Sequence, residues 1–276
     1  MQLNCNGKIL NLAKPQVMGI LNVTPDSFSD GGHFNRIDTA LAQAEQMIND
    51  GAVIIDIGGE STRPGALAVS EKDEISRVIP VLKAIKQRFN IIISIDTSKA
   101  NLMREAIEQG AGIINDVRAL QNDGCLMAVA QSEVAICLMH MQGMPRSMQT
   151  SPHYDDLFDD INLFFETRIL ACKNAGINKK RLILDPGFGF GKTLDQNYQL
   201  LARLSMFEHL ALPILAGLSR KSMIGSLLNR EVEQRLSGSL TAAIIAAQQG
   251  AKIIRVHDVK ETVDALKVVD KVSLFS

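Results

Sequence analysis

A chain of 276 residues suits one α/β barrel, which typically takes about 250 residues, or two smaller domains, and no linker-like or low-complexity stretch divides it. Its hydrophobic content of 46% is ample for a packed core, while a formal net charge of −1 gives no general reason to bind nucleic acid or an anionic membrane. No apolar run reaches the roughly 18 residues that a membrane-spanning helix needs. We therefore expect one domain over residues 1–276, with neither nucleic acid nor a membrane as a partner.

The four cysteines favour a reducing compartment. Cys5, Cys125, Cys137 and Cys172 are far apart and form no paired ligand motif. The first residues also lack the charged-then-apolar pattern of a secretion signal. A cytoplasmic location is therefore expected.

The chain begins with a predicted hairpin and continues with eight strand-like segments. Asn6 and Gly7 form a tight-turn pair between two short, partly apolar segments, and this hairpin would close the bottom of whatever follows. The later segments are short and rich in Ile, Val and Leu. They lie near residues 17–22, 53–58, 91–96, 112–117, 135–140, 181–185, 213–219 and 252–257.

Helical patterns separate these segments. The clearest covers residues 70–88, where Ser70 and Asp73 resemble a capping box. One face of this segment carries the apolar residues Ile75, Val78, Ile79, Leu82 and Ile85. Another helix is predicted over residues 38–50, with Asp38 as its capping residue. Strand and helix alternate eight times, which predicts an α/β fold: a (β/α)8 TIM barrel with the N-terminal β-hairpin closing the bottom.

The most informative stretch is RLILDPGFGFGKT, residues 181–193. A strand buried on both faces runs into Asp185, and Pro186 ends it because proline lacks the N–H that a sheet needs. Asp185 therefore lies at the carboxyl end of a strand, which is where barrels of this type bind ligands. An aspartate that only helps the strand to end would give the same local pattern.

The glycines of this stretch do not form a known phosphate loop. A P-loop requires glycine five residues before the glycine of Gly-Lys-Thr, where Pro186 stands, and a dinucleotide fingerprint requires glycine at Lys192. The three alternating glycines are instead expected to let the backbone approach a flat ligand beside Phe188 and Phe190.

Polar residues end the other strands as well. Each alone has a structural explanation, since a strand end is where backbone meets water, but eight strands that all end in this way indicate a ligand site at one rim. The residues at these carboxyl ends are Asn22, Asp56, Asp96, Asn115, Asp116, Met139, His140, Asp185, Ser219, Arg220, Lys221, Arg255 and His257.

One group of these residues consists of hydrogen-bond acceptors. Asp96, Asn115 and Asp185 offer carboxylate oxygens and one amide donor, a set that suits a flat heterocycle with an amidine-like edge. Met139 would supply a soft apolar floor beneath such a ring.

A second group is cationic and belongs to the last two barrel strands. Lys221, Arg255 and His257 occupy the position at which this fold frequently binds phosphate. The helix that begins near Ser222 could also hold a carboxylate through its free amides. For Arg220, a surface ion pair is the favoured interpretation.

Two glycine-flanked loops look like lids over the rim, although solvated linkers would have the same composition. The first covers residues 22–32, in which Asn22 and Asp30 could bind Mg²⁺ beside a pyrophosphate, because this hard cation prefers oxygen ligands. The second covers residues 59–65.

Six stretches, in the same order along the chain, resemble those of bacterial dihydropteroate synthases. They are MGILNVTPDSFSDGG at 18–32, GGESTRPG at 58–65, IIND at 113–116, LILDPGFGFGK at 182–192, SRKS at 219–222 and IRVHDV at 254–259. The resemblance therefore extends over nearly the whole chain.

The resemblance implies a transferase built on a pterin-binding TIM barrel. Such an enzyme condenses 6-hydroxymethyl-7,8-dihydropterin diphosphate with p-aminobenzoate, giving 7,8-dihydropteroate and pyrophosphate in folate biosynthesis. The reaction would pass through a pterin carbocation if the bond to the diphosphate breaks first. The family is usually homodimeric, works with Mg²⁺ and is the target of sulfonamides, so the same is expected here.

The resemblance also assigns residues to each substrate. The pterin would be held by Asp96, Asn115, Asp185 and Lys221. The diphosphate would be held by Arg255 and His257, with Mg²⁺ on Asn22 and Asp30. The p-aminobenzoate pocket would be built from Phe28, Thr62, Arg63, Pro64, Phe190 and Ser222. The groups assigned to catalysis are Asp96, Asp185, Lys221 and Arg255.

One alternative is a non-catalytic pterin-binding module of a corrinoid-dependent methyltransferase, which has a similar barrel and similar Asp and Asn residues. Such modules hold no diphosphate, so the cations on the last two strands favour the synthase. A generic phosphate-binding barrel is a third interpretation, and it would leave the acceptor group unexplained.

Overall fold

The structure, a computed structural model, describes residues 1–24, 33–61, 69–143, 148 and 152–275, with the backbone alone at 33–36. Within these residues, eight parallel strands surround a common axis and helices cover them from outside. No helix among the described residues is both long and apolar enough to cross a membrane.

The chain begins with the predicted hairpin. Strands β1 (Gln2–Cys5) and β2 (Lys8–Asn11) pair in antiparallel register, and the two turn residues Asn6 and Gly7 have φ angles of 55° and 90°. Both angles are positive, as a two-residue turn that matches the twist of a hairpin requires. One face of the hairpin is apolar and packs against the first residues of the barrel strands; it consists of Leu3, Cys5, Leu10 and Leu12. The predicted closure of the barrel bottom is confirmed.

All eight predicted barrel strands are present. They are β3 (Gln16–Asn22), β4 (Ile54–Gly58), β5 (Ile92–Asp96), β6 (Ile113–Asp116), β7 (Ala135–Met139), β8 (Leu182–Asp185), β9 (Leu215–Ala216) and β10 (Ile253–Val256). They are hydrogen-bonded in the order β8-β7-β6-β5-β4-β3-β10-β9, and every pair is parallel. The (β/α)8 barrel expected from the alternation of strands and helices is therefore confirmed.

The barrel closes between β8 and β9 through few contacts. Leu184 and Ile214 form an isolated parallel bridge, and the amide of Leu184 donates to the carbonyl oxygen of Pro213 at 2.9 Å. Strand β9 has only two residues, whereas β4 and β5 have five each. We call this junction of β8 and β9 the seam.

The helices form the outer layer. They are α1 (His33–Asn49), α2 (Glu71–Arg88), α3 (Ala100–Glu108), α4 (Cys125–Ala130), α5 (Leu157–Asn174), α6 (Leu194–Ala202), α7 (Ser222–Leu228), α8 (Leu236–Gln248) and α9 (Val259–Ser273). Two of them, α7 and α8, follow β9, and one follows each of the other barrel strands.

The prediction for α2 is confirmed, and that for the start of α1 is wrong. The hydroxyl of Ser70 caps α2 by accepting the amide of Asp73 at 3.1 Å, and the expected apolar face packs on the barrel. Helix α1 begins at His33, so Asp38 lies inside it. Asp38 lies five residues after the start of α1, outside a first turn that has no acidic residue, so it does not mark the boundary.

Alternation along each strand separates a packing face from a ligand face. On β5, Ile93 and Ile95 point outward and pack against the helices. On the inner side, Ile92 joins the apolar cluster above the hairpin, while Ser94 and Asp96 follow toward the opposite end. The interior is therefore apolar at the bottom and polar at the carboxyl ends of the strands, which we call the mouth.

Candidate active site

A network of two carboxylates, one guanidinium and one amide lies at the mouth. Arg255 on β10 donates from Nε to Asp56 at 2.6 Å and from Nη2 to Asp96 at 2.9 Å. Asn115 on β6 donates from Nδ2 to the same Asp56 oxygen at 3.2 Å. These four residues come from β4, β5, β6 and β10, so closure of the barrel is what brings them together. We call them the arginine network.

The charged groups of the arginine network shift one another's pKa values. Burial alone would lower the pKa of Arg255, but the carboxylates of Asp56 and Asp96 outweigh it and raise that pKa above the ordinary value. Burial raises the pKa of Asp96 to about 7; the charge of Arg255 opposes this rise, and the charge of Asp56 adds to it. Asp96 therefore ionises within the physiological range, while Arg255 stays cationic.

Asp185 and Lys221 form the second polar part of the mouth. The carboxylate of Asp185 accepts the amide of Gly187 at 2.8 Å, and Lys221 donates from Nζ to the carbonyl oxygen of Phe188. Burial raises the pKa of Asp185, and the nearby charge of Lys221 opposes that rise. Burial likewise lowers the pKa of Lys221 to about 8.

An apolar patch lies beside these charges. Nζ of Lys221 is 4.7 Å from the ring centroid of Phe190, a distance at which a cation is attracted to an aromatic face. Phe190 and Met139 are buried in one cluster with Val117 and Met148. The predicted apolar floor at Met139 and the predicted pocket residue Phe190 are thus brought together with Lys221.

The glycine turn, residues 186–191, follows β8 and packs closely against backbone that follows β7, a contact that the sequence did not indicate. Gly187, Gly189 and Gly191 have φ angles of 70°, 79° and 64°. A Cβ at Gly187 would collide with the carbonyl oxygen of His140, and one at Gly191 would lie 2.5 Å from that of Gln142. At these two positions the missing side chains make room for the protein's own backbone.

The segment after β9 is fastened to the end of β10. Ser219 Oγ lies 3.0 Å from Nδ1 of His257 and accepts the backbone amide of the same residue at 3.2 Å. Arg220 has a φ of 55° and pairs with Asp258, which confirms the ion pair expected for this arginine. Ser222 follows as the exposed first residue of α7.

Several expected site residues lie outside the described residues: Phe28, Asp30, Thr62, Arg63 and Pro64. Asn22 is described, at the end of β3 opposite Gly58 on β4 and half-buried at the mouth. Its amide oxygen is the type of ligand that a hard cation accepts. Among the described residues, no group of three or more His, Cys, Asp or Glu side chains could hold a metal ion.

Two buried polar residues near the site were not assigned from the sequence. Asp56 was recognised only as a strand end, yet it is fully buried and pairs with both Arg255 and Asn115. Lys192 is also buried, although nothing in the Gly-Lys-Thr spacing indicated it. By contrast, the strand-end Asp116 has a structural task, since its carboxylate accepts the amides of Arg118 and Leu120, both at 2.8 Å.

Comparison with known proteins adds to this geometry. The family described as "Pterin binding enzyme" matches residues 18–257. The dihydropteroate synthase of Escherichia coli strain K12 is 59% identical over 270 residues, which cover 98% of this chain and 96% of that protein. The chain belongs to the dihydropteroate synthases.

Solved structures of dihydropteroate synthases have the same fold. The Yersinia pestis enzyme in a sulfonamide drug complex gives a TM-score of 0.95 at 58% identity and covers 99% of both chains. The Xanthomonas albilineans enzyme with 4-aminobenzoic acid gives a TM-score of 0.93 at 50% identity, covering 99% of this chain and 98% of that one. The chain is thus a transferase of folate biosynthesis, and the corrinoid-dependent module is not favoured.

Proposed function

We propose that this chain condenses 6-hydroxymethyl-7,8-dihydropterin diphosphate with p-aminobenzoate, giving 7,8-dihydropteroate and pyrophosphate. The observation that carries the proposal is the convergence of buried acceptors and cations at the mouth of the barrel. Asp96 and Asn115 belong to the arginine network, and Asp185 lies within electrostatic range of Lys221. A flat heterocycle with N–H donors on one edge and an attached anionic group would use both the buried acceptors and the cations.

We assign the pterin to Asp96, Asn115, Asp185 and Lys221, with Met139 beneath it. Two carboxylates can each accept from an N–H-rich ring edge, and a ligand without those donors would leave buried acceptors unpaired. The apolar cluster of Met139 and Phe190 offers the ring a surface to lie on. The proximity of both parts at one rim supports this assignment.

We assign the diphosphate to Arg255 and His257, and Mg²⁺ to Asn22 and Asp30. The amide oxygen of Asn22 at the mouth suits Mg²⁺, because this ion usually takes few protein ligands and completes its coordination shell with phosphate oxygens and water. When bound, the ion neutralises charge on the leaving group. For the p-aminobenzoate pocket we propose Phe28, Thr62, Arg63, Pro64, Phe190 and Ser222.

The proposed chemistry needs no acid or base on carbon. The bond from the pterin methylene to the diphosphate oxygen breaks, and both of its electrons leave with the pyrophosphate. Asp96 and Asp185 stabilise the positive charge that develops on the pterin, because buried anions act strongly where water is excluded. The lone pair of the p-aminobenzoate amine then forms the bond to the methylene, and the amine proton passes to solvent.

We also propose that residues 1–276 form one domain and that the enzyme works as a homodimer in the cytoplasm. The described cysteines are all buried and free, which fits a reducing compartment. A single barrel with helices on its outer face fits one domain. Sedimentation of the purified chain tests the dimer directly.

An assay for pyrophosphate release tests the reaction. We expect release from the pterin diphosphate to depend on p-aminobenzoate, and His257→Ala to weaken the pterin diphosphate more than the bare pterin. Release at the same rate without p-aminobenzoate would indicate hydrolysis and would overturn the condensation. An equal loss for both pterins would move His257 out of the diphosphate site.

A further inference from the structure

Lys192 is a buried lysine to which the proposed reaction gives no task. Its side chain is 2% exposed, and its ammonium group donates to three uncharged partners among the described residues: the carbonyl oxygens of Gly187 at 3.0 Å and Phe190 at 3.2 Å, and Nδ1 of His140 at 3.0 Å. Burial, followed by the charge of Lys192, lowers the pKa of His140 to about 2, so that its ring is neutral and can accept. Burial lowers the pKa of Lys192 to about 7, and the charge of Asp185 opposes that fall. An ammonium group is costly at such a site, which calls for a reason beyond packing.

Two lysines bind carbonyl groups of the glycine turn. Lys192 takes those of Gly187 and Phe190, while Lys221 takes that of Phe188, which lies between them. Positive φ angles at Gly187 and Gly189 allow this division, because they turn neighbouring carbonyl groups in different directions. The turn is therefore held between one cation at the mouth and one behind it.

We propose that Lys192 is a positioning residue. By binding the carbonyl groups on either side of Phe188, it fixes the shape of the turn. That shape determines where the Phe188 carbonyl oxygen holds the ammonium group of Lys221 against the substrate. The inference rests on the proposed function, in which Lys221 contacts the pterin. It assigns Lys192 no contact with substrate. Its partner His140 serves as the acceptor that keeps the ammonium group in place.

The glycine turn has other contacts besides those to Lys192. Asn197 accepts the amide of Gly189 at 2.6 Å, and the hydroxyl of Tyr154 donates to the carbonyl oxygen of Gly191 at 2.7 Å. Neither contact reaches the carbonyl groups of Gly187 or Phe190. The turn's own backbone bond, from the amide of Phe190 to the carbonyl oxygen of Gly187 at 3.1 Å, also joins the two sides of Phe188. Lys192 adds to it, because its ammonium group binds the carbonyl oxygens of both Gly187 and Phe190.

A double-mutant cycle tests the inference. The dissociation constant of 6-hydroxymethylpterin is measured by calorimetry for the wild type, Lys192→Met, Lys221→Met and the double variant. We expect each single variant to weaken binding by about tenfold or more, and Lys192→Met to add less than about threefold in the Lys221→Met background, because residues that act through one another are not additive. Losses that multiply, or a Lys192→Met variant with wild-type affinity, would overturn the inference.

The same series separates this inference from the proposed function. Wild-type affinity in Lys221→Met would overturn both, whereas a loss there with an independent loss in Lys192→Met would overturn the inference alone. Exposed Lys180 provides the matched control, and Lys180→Met should bind like the wild type. If Lys192→Met does not fold, His140→Phe serves instead, because it removes one acceptor of Lys192 and keeps a ring against Phe164. Its loss of pterin affinity should be smaller, and it should also disappear in the Lys221→Met background.

Discussion

Asp185 connects the glycine turn to the ligand side of the mouth, since it accepts the amide of Gly187 and lies close to Lys221. We expect Asp185→Asn to weaken binding of 6-hydroxymethylpterin by about 2–5 kcal/mol, because an amide removes the charge and replaces one acceptor by a donor. Isothermal titration calorimetry measures this loss. Asp123→Asn, at an exposed position, is the matched control. An affinity that stays at the wild-type value in Asp185→Asn would contradict the pterin assignment.

Arg255 supports the fold as well as the proposed diphosphate site. Its removal leaves Asp56 fully buried without a cation, so Arg255→Met should lower the free energy of unfolding by about 3–5 kcal/mol. Urea denaturation measures the change. Arg88→Met is the control, because Arg88 pairs with Glu45 in an exposed bridge worth at most about 1 kcal/mol. Adding Asp56→Asn to Arg255→Met should restore part of the lost free energy of unfolding, because it removes the unpaired charge. A further fall in stability would contradict this account.

The pH dependence of pterin binding follows from two shifted groups. Burial raises the pKa of Asp96 to about 7 and lowers that of Lys221 to about 8. Only an ionised Asp96 offers acceptors on both carboxylate oxygens, so affinity should rise as the pH passes through 7. Lys221 is cationic only when protonated, so affinity should fall as the pH passes through 8. The result is a bell-shaped profile.

Calorimetric titrations with 6-hydroxymethylpterin from mildly acid to mildly alkaline pH measure this profile. In Asp96→Asn the acid limb should disappear, and in Lys221→Met the alkaline limb should disappear. A profile that keeps both limbs in these variants would assign the titration to other groups.

At the scale of single elements, the hairpin supplies stability without taking part in binding. Leu10 on β2 is buried among the first residues of the barrel strands, at the end opposite the mouth. Leu10→Ala should therefore lower the free energy of unfolding by about 2–5 kcal/mol and leave both Michaelis constants unchanged. Its neighbour Ile9 is 59% exposed, and Ile9→Ala should change stability by less than about 0.5 kcal/mol. A raised Michaelis constant in Leu10→Ala would show that the bottom communicates with the mouth.

The elements themselves were largely predictable, and their ends were not. Every barrel strand was found because short runs of β-branched residues alternate with helical patterns. The last predicted strand but one covered residues 213–219, yet β9 has only two residues, since pairing geometry rather than composition decides where a ladder ends. Helix α6 begins with a capping box of Thr193 and Gln196, a pattern that the sequence contains and that was not recognised.

At the scale of the whole molecule, the sequence predicted the rim but not its pairings. Asp96, Asn115 and Asp185 were found because strand ends of parallel strands share one edge. The bond between Asp56 and Arg255 joins residues 199 positions apart and exists only because the barrel closes. The burial of Lys192 has the same origin, since its partner His140 follows a different strand.

The seam is the part of the barrel where opening should begin. We expect the amide of Leu184, which donates across the seam, to exchange with solvent faster than those of Ile55 and Ile57 on β4, because the seam has few hydrogen bonds. Hydrogen exchange followed by mass spectrometry measures this difference. A pterin that contacts Asp185 at the end of β8 and Lys221 after β9 bridges the seam, so it should slow exchange there and leave β4 unchanged. Equal protection of both regions would mean that the ligand stabilises the barrel evenly.

The weak seam should make the resistance of the enzyme to proteases depend on bound pterin. Proteases act on the opened form of a protein, and degradation follows the population of that form when opening is fast. Because the proposed pterin site spans β8 and β9, the open population falls whenever pterin is abundant. Limited proteolysis of the purified enzyme should therefore slow when 6-hydroxymethylpterin is added, and an unchanged rate of cleavage would contradict this account.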